Sequence, residues 1–144
     1  MSMHHLRLGW WGLFAFALLG LALEAMHGLK LGAYLDVGNE TRRLMWRLAH
    51  AHGVLLSLVH IAFASSLSLA QQAGSRGPRG RAAGWASRGL LLASLLIPIG
   101  FLLGGATIHG GDPGLGIALV PVGAFALLAA LLLVAISLSR GPGP

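Results

Sequence analysis

Five histidines and one glutamate carry most of the chemistry this sequence could perform. His27, His50, His52, His60 and His109, with Glu24, lie inside or at the ends of strongly apolar stretches, where an ionisable group is costly and marks a functional candidate. Imidazole and carboxylate side chains together can hold a transition metal. Two imidazoles, or one, can ligate a haem iron. Glu24 and His27 are spaced i,i+3, so on a helix they share a face, and the carboxylate can fix the tautomer of the ring beside it. His4 and His5 stand next to Arg7 at the start of the chain and read as a polar tail of little consequence.

Helical geometry sorts the remaining rings. At about 100° per residue, His50, Gly53, Ser57, His60, Ala64 and Ser68 form one stripe, with Leu55, Leu56, Val59 and Phe63 opposite. The stripe is expected to face other helices. His52 points about 160° away from His50, toward water at the membrane edge. His60 lies about 15 Å along the helix from His50, so one compact metal site cannot use both. Ser57 and His60 are a candidate interhelical hydrogen-bonding pair.

These residues need elements to hold them in place, and composition says which. Of 144 residues, 56% are hydrophobic and 10% charged, too apolar for a soluble domain of this length. A helix crosses a bilayer core of about 30 Å with about 20 residues, and four such runs are present at 8–29, 48–70, 89–108 and 115–138. They lack the alternation of a membrane barrel, so they are helices. The expected fold is all-α: an integral membrane four-helix bundle of up-down, antiparallel topology, with a short interfacial segment between helices 1 and 2, forming one domain over 1–144. The first run is too long for a signal peptide and carries Glu24 before its end, so it is expected to be retained.

Charge suggests an orientation. With the N-terminus cytoplasmic, Arg7, Arg76, Arg79, Arg81, Arg88 and Arg140 lie inside, while Lys30, Arg42, Arg43 and Arg47 lie outside. The balance favours both termini cytoplasmic. It places Glu24, His27, His50 and His109 at similar depth near the outer face, as a candidate metal site. The net charge of +6 then serves topology and attraction to anionic lipid rather than nucleic acid, which is excluded as a partner. The stretch 71–87, rich in Gly, Arg and Ser with Pro78, reads as a cytoplasmic loop, and 139–144 as a tail. In the link from Lys30 to Arg47, Asn39 can cap a short helix, Glu40 and Arg43 are spaced i,i+3, and Tyr34 and Trp46 suit the headgroup layer. Gly110 to Gly114, with Asp112 and Pro113, reads as a tight turn. Pro98 and Pro121 are expected to bend the third and fourth spans, and Gly100 with Gly104 forms a GxxxG packing pair.

Cysteine is absent, which removes disulfides and thiolate sites. No Walker loop, dinucleotide fingerprint, Gly-x-Ser-x-Gly elbow or His-Glu-x-x-His is present, so independent enzymatic activity is not expected. The stretch from Leu48 to Leu56, with His50-Ala51-His52-Gly53 opening the second span, resembles small bacterial four-helix proteins related to haem–copper oxidase subunit I. That resemblance implies a bacterial inner membrane and a haem-ligand role for His50 or His52. The further histidines of a full oxidase site, including its copper ligands, are missing.

Three functions are consistent with these residues. The first is a site near the outer face binding haem b or a transition metal for electron transfer or sensing. It would draw on His27, His50, His52, His60 and His109 for haem, or Glu24, His27, His50 and His109 for a metal. The second is an accessory subunit docked through the Gly100 and Gly104 face in a homo-oligomer or larger complex. The third is a small transporter or channel, with Ser57 and His60 lining a polar path.

Overall fold

The computed structural model describes residues 1–35, 37–72 and 80–139, without the side chain of Asn39. The cap expected of Asn39, the loop residues Arg76, Pro78 and Arg79, and Arg140 of the tail lie outside the described residues. Among the described residues five helices follow in order: α1 (Ser2–Gly28), α2 (Gly32–Leu35), α3 (Glu40–Gln72), α4 (Gly80–Ala106) and α5 (Leu119–Ser139). Short 3₁₀ turns at Val37–Asn39 and Leu115–Ala118 precede α3 and α5. Every regular element among the described residues is a helix, and four helical segments there are long and apolar enough to cross a membrane: Ser2–Gly28, Glu40–Gln72, Arg81–Ala106 and Leu115–Ser139.

The long helices stand in chain order. α1 packs on α3, α3 on α4 and α4 on α5, and among the described residues no other pair of them has Cα atoms within 8 Å. Along the first seam Gly9 meets Ile61, Gly12 meets Ser57, Phe16 meets Gly53 and Gly20 meets His50, so the numbers rise on one helix as they fall on the other. Because α3 has neighbours on two sides, it buries two faces. Gly53, Ser57, His60 and Ala64 are buried, but so are Leu56 and Phe63, which were expected on the opposite side. Those two join clusters shared with α4, Leu56 near Ala93, Ile97 and Phe101, and Phe63 near Ala83, Ala86 and Leu90.

Helix starts differ from the sequence reading. α1 starts at Ser2 rather than near residue 8, and α4 starts at Gly80, within the stretch expected to be a loop. The early turns of α4 are helical because Ala83, Ala86 and Leu90, at three- and four-residue spacing, pack against Phe63 and Leu67. Pro98 does lie inside α4, whereas Pro121 falls in the first turn of α5. There its missing N–H coincides with the change from 3₁₀ to α-helix rather than with a mid-helix break. Gly100 and Gly104 face the chain's own Leu115–Ala118 turn and the start of α5, through Gly116, Ile117 and Val120.

The link between α1 and α3 is tied down at each step. α1 ends with Lys30 N–H donating to the His27 carbonyl and Leu31 N–H to that of Met26, at 3.1 Å each, around Lys30 at φ 53°. This is a Schellman closure with lysine where glycine is usual, at a strain of about 1 kcal/mol. α2 then folds back onto α3. Arg42 donates to the Ala33 carbonyl and Arg43 to that of Tyr34, both at 3.1 Å, and the Tyr34 ring stacks on Trp46. Arg42 also donates to the Gly105 carbonyl at 3.1 Å, satisfying one of the last carbonyls of α4. The expected turn after α4 forms with Gly110 and Gly111 at positive φ between the paired His109 and Asp112.

Candidate functional site

The most deeply buried polar residue is one the sequence reading set aside. His5 is 0% exposed, and the expectation that it belongs to an inconsequential tail is overturned. α1 carries it on one face with Gly9, Gly12, Phe16 and Gly20, spaced by three or four residues, and the glycines let the backbone of α1 approach α3. A Cβ on Gly9 would lie 2.8 Å from the Ser57 carbonyl oxygen, so no side chain fits there without parting the helices.

That close approach brings His5 onto His60, which is 4% exposed. Their Nδ1 atoms are 2.7 Å apart, with ring centroids at 4.8 Å. The other nitrogens are also engaged: His5 Nε2 is 2.8 Å from Ser87 Oγ, and His60 Nε2 is 2.9 Å from Ser94 Oγ. Phe63 covers the edge of His5. The line Ser87, His5, His60, Ser94 therefore joins α1, α3 and α4, and His5 reaches α4 although the two helix backbones stay apart.

Hydrogen-bond bookkeeping assigns the protons. The Ser94 hydroxyl donates to the Leu90 carbonyl at 2.8 Å, which leaves its oxygen to accept from His60 Nε2–H. In a neutral pair His60 Nδ1 is then the acceptor, His5 Nδ1–H the donor, and His5 Nε2 accepts from the Ser87 hydroxyl. Every donor in the line points the same way. Ser57 stays out of it, donating to the Gly53 carbonyl of its own helix at 2.7 Å, so the expected Ser57 and His60 pair does not form. Beside His60 a trough of about 390 Å³ runs between α1 and α4 with α3 as its floor, lined by Leu8, Gly12, Phe16, Ser57 and Ser94 among others.

The expected outer cluster comes together in part. Glu24, His27 and His50 line one pocket of about 450 Å³, with Gly20, Tyr34 and Arg47. His50 is firmly oriented: its Nδ1 is 2.7 Å from the Phe16 carbonyl oxygen, so Nδ1 carries the proton and Nε2 the lone pair. A Cβ on Gly20 would collide with that ring. His109 is not among the lining residues. It sits exposed in the turn between α4 and α5, on the far side of α3 from α1 in the row. His52 faces neither site, since its Nδ1 donates to the Leu48 carbonyl at 2.9 Å and its ring lies against Phe101 of α4.

The donor set bears on the cofactors that the sequence resemblance implies. Among the described residues, no three His, Cys, Asp or Glu side chains gather closely enough to hold a metal ion. His50 and His52 each have a bond to a backbone carbonyl of the kind that holds a ligand imidazole in place, but of the two only His50 lines the pocket, which it shares with the Arg47 guanidinium. His5 and His60 have every ring nitrogen already bonded to protein. No family model, curated protein or solved structure matches this chain.

Proposed function

We propose that this chain is an integral membrane protein that passes protons, with His5 and His60 as the relay. The four long helices would cross lipid in alternating directions as an antiparallel array, with both termini cytoplasmic, as the arginine distribution favours. Their outward surfaces support insertion, since Trp10, Trp11, Phe14, Leu21, Phe125 and Leu128 are all more than half exposed and need a non-aqueous covering.

The observation that carries the relay is the buried 2.7 Å contact between two imidazole nitrogens, extended at both ends by serine hydroxyls. A proton arriving at His5 Nε2 from the Ser87 side releases the Nδ1 proton of His5 to His60 Nδ1. His60 then carries both protons beside the trough, and His5 is left neutral with its proton on Nε2. His60 then releases its Nε2 proton to water entering the trough, so one proton enters and one leaves, and each ring resets by exchanging its remaining proton between its two nitrogens. Phe16, seated on Gly53 between the trough and the outer pocket, closes the route beyond His60 in this conformation.

The test is proton flux into proteoliposomes holding a pH-sensitive dye under a potassium diffusion potential. Wild-type protein is expected to acidify the lumen, Ser66→Ala to match it, and His60→Ala to fall to the leak of empty liposomes. Wild-type flux no greater than that leak sinks the proposal. A second reading, in which His50 supplies the protein ligand to haem or a transition metal, is favoured by the single bond that leaves its Nε2 free. A Soret band or stoichiometric metal in purified protein, lost in His50→Ala, is its expected signature. A colourless, metal-free preparation would remove it.

A further inference from the structure

The outer pocket holds a different kind of polarity from the relay. Apart from His50, its polar side chains lack partners: among the described residues neither the Glu24 carboxylate, the His27 ring, the Tyr34 hydroxyl nor the Arg47 guanidinium has a hydrogen bond or ion pair within the protein. Tyr34 is only 1% exposed, and because no buried side-chain oxygen or nitrogen among the described residues lacks a partner, its unbonded hydroxyl keeps access to the pocket it lines. A hydroxyl so placed can donate a hydrogen bond to whatever enters. His50 contributes a lone pair, because its one proton is spent on the Phe16 carbonyl.

We propose that this pocket binds a small zwitterionic group, an ammonium and an anionic phosphate or carboxylate a few ångströms apart. Arg47 and the Tyr34 hydroxyl donate to the anionic oxygens, with the guanidinium suited to a two-point contact. The Glu24 carboxylate and His50 Nε2 accept from the ammonium. One fixed negative and one fixed positive side chain make the lining neutral overall, which matches a ligand neutral overall and disfavours a bare divalent cation or a simple anion. The pocket volume of about 450 Å³ lies in the range of small-molecule sites. α2, whose Tyr34 lines the pocket, belongs to the link expected at the headgroup layer, so the group can arrive on an amino phospholipid or as a free solute.

The proposal goes beyond the proton relay and uses none of its residues. Full-length protein in phosphatidylcholine nanodiscs is titrated with glycerophosphoethanolamine by calorimetry. The expected result is saturable binding, weakened roughly tenfold or more in Arg47→Gln and in Glu24→Gln, each of which removes a charge-assisted bond. Glycerophosphocholine, which has the same charges but no N–H donors, is expected to bind at least as weakly as those variants. In nanodiscs containing phosphatidylethanolamine, a loss of apparent affinity identifies the lipid as the natural source, and an unchanged affinity identifies a free solute. No binding of glycerophosphoethanolamine, or equal binding by wild type and both variants, overturns the proposal. Proton flux from the same preparation reads the other site separately.

Discussion

The seam between α1 and α3 has two polar ends that solve opposite problems. At one end His5 and His60 are almost wholly buried and every ring nitrogen has a protein partner. At the other, Glu24, His27, Tyr34 and Arg47 line an open pocket with side chains that have no hydrogen bond or ion pair among the described residues. A closed hydrogen-bonded line in a low-dielectric interior holds helices together and can pass a proton along itself. Unpaired groups around a pocket add little to the fold and keep their bonding capacity for a visitor. Histidine count alone does not distinguish these roles; what each ring nitrogen touches does.

The comparison breaks most readily on stability. His5→Ala or His60→Ala strands the other ring and opens a cavity, and each is expected to cost about 2 kcal/mol or more. In a double-mutant cycle the pair should couple by about 1 kcal/mol, within the range found for interhelical hydrogen bonds in membranes. Glu24→Gln and Arg47→Gln, at the unpartnered end, should stay within about 0.5 kcal/mol of wild type. Reversible unfolding in bicelles measures all of these on one scale. Equal losses at the two ends would mean that the pocket groups are structural and that the contrast is false.

How much of this could be read from residues alone depends on distance along the chain. The four apolar helices are plain in the sequence, since each needs only its own composition. That Glu24, His27 and His50 come together was also legible, from helix lengths and chain reversal, and these three do line one pocket. His109 shares the depth argument but not the pocket, because the helices stand in a row and the turn after α4 is separated from α1 by α3. His5 went unread because a histidine beside His4 and Arg7 looks like a solvated tail. The available signal was its register with Gly9, Gly12 and Gly20, a small-residue face that lets α1 close on a partner. Even that face does not name His60, since the pairing is set by how α1 slides against α3.

A smaller effect tests the direction assigned to the buried line. Ser94 accepts from His60 Nε2–H and passes its own proton to the Leu90 carbonyl. Ser94→Ala removes that acceptor while leaving the 2.7 Å contact between the two rings in place. The expected loss is about 1 kcal/mol, less than for either histidine, because the trough beside His60 gives water a route to the freed N–H. Flux should fall without vanishing, and Ser94→Thr, which keeps the hydroxyl, should restore it. Nitrogen chemical shifts of labelled histidine report the tautomers directly. Wild type should show His5 protonated at Nδ1 and His60 at Nε2, and the reverse assignment would mean that protons are handed on from His60 to His5. A Ser94→Ala loss as large as that of His60→Ala would instead place the stabilising contact at the serine, and the paired rings would then be neighbours rather than a relay.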